Sequence, residues 1–295
     1  MPPGFQNILF VVFFVIYVCT VIGNVLVILI IFLDTTLHKP MYFFLANLSL
    51  IEIFYSTSVS PNNLKNFLSE DRTISFVSCF TQAYFFVALG VSECVLLSAM
   101  AYDRYIAICQ PLLYSVRMNP KCCLQLVMFS LTMGFLNSLI HTVSIATLRF
   151  CKDRIIQNFF CDFPQILKLA CTDAKLHELA SNLVGGSVIL GSLIFTLVSY
   201  ICILRAVFSI QSSHGKHKAF STCGSHLMVV TIFYGTIILN YMIPVSISYN
   251  LQNKVISVMY GVMTPFINPI IYSFRNADFM KAINKIIVEK KKRII

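Results

Sequence analysis

Seven stretches of the chain are apolar over enough consecutive positions to cross a bilayer: roughly residues 8–33, 41–64, 76–109, 122–147, 178–208, 218–243 and 255–274. A membrane-spanning helix needs about 20 mostly apolar residues, and backbone groups in hydrocarbon must be paired within their own segment, so each run predicts a helix. A membrane barrel would instead show strands of about ten residues with strict alternation, and the runs do not alternate. Prolines at 40, 61, 111, 120, 164, 244, 265 and 269 punctuate the ends of the runs or kink them. After Arg275, Phe279, Ile283, Ile286 and Ile287 recur at i, i+4, i+7 and i+8, with Lys281 and Lys285 elsewhere on the wheel. That spacing predicts a short amphipathic helix over about 276–288, lying on a membrane surface. No soluble domain, linker or internal repeat interrupts the pattern. The expected fold is an all-α membrane protein, one seven-helix bundle over residues 1–295 with an amphipathic helix after the seventh span.

Composition sharpens this. Hydrophobic residues make up 57% of the chain and charged residues 12%, whereas soluble domains carry about 25% charge. The net charge of +10 could suit a nucleic-acid binder, but its placement decides otherwise. Fourteen Lys and Arg residues against four acids fall on one face, leaving the whole +10, while the other face carries eight bases and six acids. The remaining two acids, Glu52 and Glu93, lie inside spans. Basic loops mark the cytoplasmic side, so the carboxyl end is expected inside and the amino end outside, at the plasma membrane, with membrane lipid as a partner of the basic tail and no nucleic acid. Of 11 cysteines, Cys79, Cys151, Cys161 and Cys171 fall on the expected outer side, where disulfides persist, and four cysteines allow three pairings.

Six blocks of sequence stand at the ends or middles of these runs. They are Gly23-Asn24, Leu37-His38-Lys39-Pro40-Met41-Tyr42-Phe43-Phe44-Leu45, Met100-Ala101-Tyr102-Asp103-Arg104-Tyr105-Ile106-Ala107-Ile108-Cys109, Ser199-Tyr200, Lys218-Ala219-Phe220-Ser221-Thr222-Cys223-Gly224-Ser225-His226-Leu227, and Pro265-Phe266-Ile267-Asn268-Pro269-Ile270-Ile271-Tyr272. In that order the chain resembles a vertebrate odorant receptor of the class A G-protein-coupled receptors, over almost its whole length. The second-span and sixth-span blocks separate odorant receptors from other class A members.

An Asp103-Arg104 pair at the end of an apolar helix is costly to bury, and reads either as an interface anchor or as a switch. The resemblance implies the switch, with Asp103, Arg104 and Tyr105 facing a stimulatory heterotrimeric G protein. Pro269 removes a backbone bond and leaves a carbonyl that a neighbour must satisfy. With Asn268 and Tyr272 it resembles the superfamily's hinge, and Tyr200 joins that coupling set. Glu52, Glu93 and Asn24 form an expected intramembrane polar network. Class A receptors usually place an aspartate beside a sodium ion where Glu52 stands, so a sodium-linked site and a protonated network with Ser98 and Asn268 are equal readings. No other metal and no cofactor is expected.

The expected ligand cavity follows helical stripes. Val87, Gly90, Val91 and Cys94 share a face of the third span; Tyr234, Ile237, Ile238 and Tyr241 share one of the sixth. Val184, Gly185 and Val188 add the fifth span, Val258 and Gly261 the seventh. Such stripes also describe ordinary packing, and the resemblance raises them to pocket lining. The glycines would leave room, the two tyrosines would supply polar handles, and Phe163 would cap the cavity. From Tyr84 to Val91 there is no acid or base, so the expected ligand is small, neutral, volatile and largely apolar. The resemblance pairs Cys79 with Cys161 and Cys151 with Cys171.

The amino end departs from the family. The first span begins about seven residues after Met1, and the sole Asn-x-Ser/Thr match, Asn47-Leu48-Ser49, lies inside the second span; either the start lies upstream or the chain is a shortened, non-signalling form. A receptor for a non-odorant metabolite is the closer alternative, and a transporter the more distant one, since transporter repeats and paired broken helices are not seen. Enzyme chemistry is not expected: no Ser/His/Asp or phosphate-loop spacing is visible, and His141 and His226 read as packing or hydrogen-bonding residues.

Overall fold

The computed structural model describes residues 3–150, 155–156, 158–171, 175–209, 213–241 and 257–294. Its long helices are α1 (Pro3–Leu33), α2 (Pro40–Leu68), α3 (Phe76–Cys109), α4 (Pro120–Ala146), α5 (Lys175–Ser209), α6 (Ser213–Tyr241), α7 (Thr264–Arg275) and α8 (Ala277–Ile294). Among the described residues five of them are long and apolar enough to cross a membrane, and α6 shows a shorter apolar stretch, Cys223–Ile238. Ahead of α7, Met259–Met263 forms a π-helical segment.

Local chemistry sets the boundaries. Pro40 and Pro120 occupy first-turn positions, where a missing N–H costs nothing. Asn119 caps α4 by accepting from the Cys122 N–H at 2.9 Å, and Ser75 caps α3 by accepting from the Ser78 N–H at 3.1 Å. Between α1 and α2, Asp34 accepts from the Thr36 N–H at 2.9 Å and fixes a single 3₁₀ turn, Thr35–Leu37.

The bundle encloses polar groups within an apolar core and is also apolar on its outside, where a soluble domain would be polar. Phe14, Ile22 and Phe32 of α1, Phe129, Leu136 and Val143 of α4, and Ile194, Leu197 and Ile201 of α5 are exposed. Asn24, Glu52, Ser92, Glu93, Ser138, His226 and Asn268 are buried. An exposed apolar belt this extensive needs a lipid solvent. α3 runs through the centre, packed on α2, α4 and α5. At Gly134 the α3–α4 contact admits no side chain: a Cβ there would lie 2.1 Å from Ser92 Oγ and 2.2 Å from the Ala88 carbonyl oxygen. Small residues at such crossings let helix backbones approach in membranes.

The end of the bundle holding the α2–α3 turn is closed by the segment before α5. Cys79 and Cys161 are disulfide-bonded, with Cα atoms 5.4 Å apart. Gln82 braces the same point, accepting from the Cys161 N–H at 2.9 Å and donating to the Ser58 carbonyl at 3.0 Å. Cys171 is also disulfide-bonded; Cys151, the expected partner, lies outside the described residues.

At the opposite end α8 packs back on the α1–α2 turn. Phe279 is fully buried, and Asn276 Oδ1 accepts from the Asp278 and Phe279 N–H groups and from the Tyr42 hydroxyl. Lys285 lies 3.5 Å from Asp34 and Lys39 lies 3.4 Å from Asp278.

Candidate functional site

Three layers of polar chemistry run down the bundle axis. In the layer nearer the Cys79–Cys161 bridge, the Tyr234 hydroxyl of α6 lies 2.9 Å from Ser192 Oγ of α5 and 3.2 Å from the Cys94 thiol of α3. Cys94 Sγ and Ser192 Oγ are 2.8 Å apart. Tyr234 thus joins three helices at one point. Ser192 is the member without a signature in the sequence: a serine among exposed apolar residues gives no periodic signal, and its partners are 42 and 98 residues away.

The other expected cavity residues spread around this point. Val91 is buried, Val87, Gly90, Gly185, Val188, Ile237 and Val258 are partly buried, and Val184 and Ile238 are exposed. The side chain of Tyr241 lies outside the described residues. The glycines are in contact rather than beside open space: a Cβ on Gly261 would lie 3.1 Å from the Phe160 ring, one on Gly90 3.4 Å from the Tyr55 ring, and one on Gly185 3.2 Å from His141 Nε2. Above the trio sits an aromatic cluster in which Phe160 packs on Phe86 at 4.7 Å and on Tyr260 at 6.0 Å. The Tyr260 hydroxyl donates to Asp162 Oδ2 at 2.9 Å. The loop around Cys161 therefore enters the bundle through Phe160 and Asp162, while Phe163 packs with Cys79, Phe80 and Ile145.

In the middle layer, the Asn268 amide donates to Glu52 Oε1 and, at 3.3 Å, to Glu93 Oε1. All three side chains are buried. Pro269 cannot donate to the Pro265 carbonyl one turn back, and Asn24 Nδ2 supplies the missing bond at 3.3 Å. A Cβ on Gly23, beside it, would touch the Pro269 ring at 3.4 Å, so α1 is held against the α7 kink. Among the described residues no group of three or more His, Cys, Asp or Glu side chains is arranged to hold a metal ion.

The third layer is at the far end of α3. Asp103 and Arg104 form a buried ion pair, Oδ2 to NH2, at 2.9 Å. Asp103 Oδ1 accepts from the Tyr114 hydroxyl at 2.8 Å. Tyr114 lies outside the spans; burial, and then the neighbouring Asp103 carboxylate, push its phenol above the ordinary value, so it stays a donor. The Tyr105 hydroxyl accepts from Gln110 at 3.1 Å. Tyr200 and His226 hydrogen-bond at 2.6 Å across α5 and α6 with their rings stacked, and Tyr200 packs with Ala101, Ile203, Val207 and Cys223. The Tyr272 ring is fully buried. His226, expected to pack or hydrogen-bond, does both.

Comparison with known proteins identifies this arrangement. The profile of a family described as olfactory receptor matches residues 13–290. The chain is similar to Olfactory receptor 5F1 of Homo sapiens, 47% identical over 287 residues that cover 97% of this chain and 91% of that protein. It is 49% identical to Olfactory receptor 8I2 of Homo sapiens over 98% of this chain and 93% of that protein. With Olfactory receptor 5AP2 of Mus musculus it shares 46% identity over 97% of its length and 90% of the other's.

Proposed function

The chain belongs to the olfactory receptor family, a family of multi-pass receptors and not of enzymes, and from that membership we propose how its three layers divide the work. The layer beneath the Cys79–Cys161 bridge receives a small, neutral, largely apolar volatile molecule. The Asp103-Arg104-Tyr105 layer engages a stimulatory heterotrimeric G protein and raises cAMP. The amino end is extracellular and the carboxyl end cytoplasmic, in keeping with the basic residues gathered at the Arg104 end.

One observation carries the ligand reading: the Cys94–Ser192–Tyr234 trio offers hydroxyl and thiol groups, not charges, among apolar side chains. Neutral donors in an apolar site suit a ligand with one hydrogen-bonding oxygen, and the buried acid above them, Asp162, is already engaged by the Tyr260 hydroxyl. Binding shifts the population toward a bundle in which α6 moves away from α3. The Tyr200–His226 bond ties α6 to α5 and must adjust to that movement, and the Asp103–Arg104 pair stands on α3; Arg205 adds a basic group, and the side chains of Lys216 and Lys218 lie outside the described residues. Glu52, Asn268 and Glu93 couple the two ends through α2, α3 and α7.

A cAMP reporter assay over neutral esters, ketones, alcohols, amines and carboxylates tests this, with surface staining in parallel. Neutral compounds are expected to respond, and Arg104→Ala to abolish the response at unchanged surface level. Tyr234→Phe should weaken agonists about five-fold, the loss of roughly one hydrogen bond. Activation by charged amines or carboxylates alone would sink the ligand reading.

A further inference from the structure

A cavity of about 440 Å³ opens between α1, α2 and the start of α4, at the Arg104 end of the bundle and on its outer wall. No part of the signalling arrangement uses it. Its interior is apolar: Ile28 and Phe32 come from α1, Phe43 and Ala46 from α2, Cys123 from α4. Phe32 and Phe43 are exposed, so the cavity faces the surrounding medium rather than the bundle core.

Polarity is graded along it. His38 and Lys39 line one end, and Ala46 lies seven residues farther along α2, about 10 Å at 1.5 Å per residue. Arg117 and Lys121, both exposed, flank the lining residues Met118 and Pro120. The acids nearby are already engaged, Asp34 with Lys285 and Asp278 with Lys39, which leaves the rim net positive. Lys39 keeps 57% of its side-chain surface exposed while paired, so its ammonium can reach a second anion.

We propose that this groove binds an anionic glycerophospholipid of the inner leaflet. One acyl chain lies between Ile28, Phe43 and Ala46, and the phosphate meets the rim at His38 and Lys39, with Arg117 and Lys121 beside it. The volume lies within the range of small-molecule sites, and basic pockets between helices at the cytoplasmic side suit anionic head groups. A sterol fits the apolar part but leaves the basic rim without a partner. Placing this rim at the inner leaflet rests on the orientation proposed above, whereas the groove and its charge do not depend on odorant or G-protein recognition.

Native mass spectrometry of the full chain released from nanodiscs containing phosphatidylserine, phosphatidylcholine or cholesterol reads the site directly. The expected result is one phosphatidylserine retained in preference to phosphatidylcholine. Lys39→Gln should lower retention about five-fold, the value of one basic group near anionic lipid. Asp278→Asn, which frees Lys39 from its partner, should retain lipid at least as well as the wild type and so separates lipid contact from the α8 clasp. Ala46→Phe should abolish retention by filling the groove, and Ile28→Trp fills it from the opposite wall if that variant does not fold. Equal retention of the two phospholipids, retention unchanged in both folded filling variants, or cholesterol displacing phosphatidylserine overturns the proposal. Epitope accessibility on intact cells reads the orientation separately.

Discussion

Asn268 and Gly134 show how single atoms hold this receptor together. Asn268 presents one amide to two buried carboxyl groups, so its removal takes away the donor that Glu52 and Glu93 share and leaves Glu52 with Asn24 alone. Unsatisfied buried polar groups cost about 1–3 kcal/mol each, and Asn268→Leu should strongly reduce surface expression and thermal stability in detergent. Glu93→Gln in that background should restore part of the loss; no restoration would show that Asn268 acts chiefly as a hinge residue. Gly134→Ala should fail outright, because a methyl group placed 2.2 Å from the Ala88 carbonyl meets backbone and not a flexible side chain. Thermal melting that matches the wild type would mean that α3 and α4 can separate cheaply. The importance of Asn268 and Pro269 was legible in the chain, since proline in an apolar run must leave a carbonyl unpaired. That Asn24, 241 residues away, supplies the donor was not. Gly134 carried no sequence signal either, because a glycine in an apolar helix looks the same whether or not another backbone crosses it.

The elements most exposed to water are tied by charge rather than by packing alone. α8 lies against the α1–α2 turn through the Asp34–Lys285 and Lys39–Asp278 pairs, with Phe279 buried beneath. Its amphipathic spacing was readable beforehand, but the clasp joins residues 251 and 239 positions apart and no local pattern announces it. The same holds for the loop around Cys161, whose Phe160 and Asp162 enter the bundle where Phe163 was the expected cap, and for the π segment Met259–Met263 ahead of Pro265. Asp34 gives the clasp a defined pH dependence. Hydrogen bonds from Thr36, and then the Lys285 charge, hold its carboxyl below the ordinary value of 3.8 despite partial desolvation. A depressed carboxylate contributes stability that is present above the unfolded value and lost as pH falls through the folded one. The difference in melting temperature between wild type and Asp34→Asn should therefore stay constant from about pH 7 to about pH 5 and shrink only below 3.8. A difference that fades near pH 6 would show that the Asp34 carboxylate does not carry the pH response.

At the scale of the whole molecule, one asymmetry organises everything else. The same sequence that surrounds the bundle with apolar side chains puts fourteen bases and four acids in the segments expected on one face, and that end of the bundle carries the Asp103–Arg104 pair, α8 and the rim of the α1–α2–α4 groove. The Cys79–Cys161 bridge closes the other end. Disulfides persist in oxidising surroundings and basic loops stay with the cytoplasm, so two unrelated pieces of chemistry call for the same orientation. An epitope joined to the amino end should therefore stain intact cells, while one joined to the carboxyl end should stain only after permeabilisation. Because orientation follows the Lys and Arg bias of loops near the spans, replacing Arg117 and Lys121 with glutamine should increase the fraction of molecules showing the reverse pattern, and replacing Arg149 and Lys168 should not. Equal effects of the two replacements would place the orienting signal in the first span instead of in the loop charges, and the charge balance would then describe the binding surface of the coupling face without directing how the chain enters the membrane.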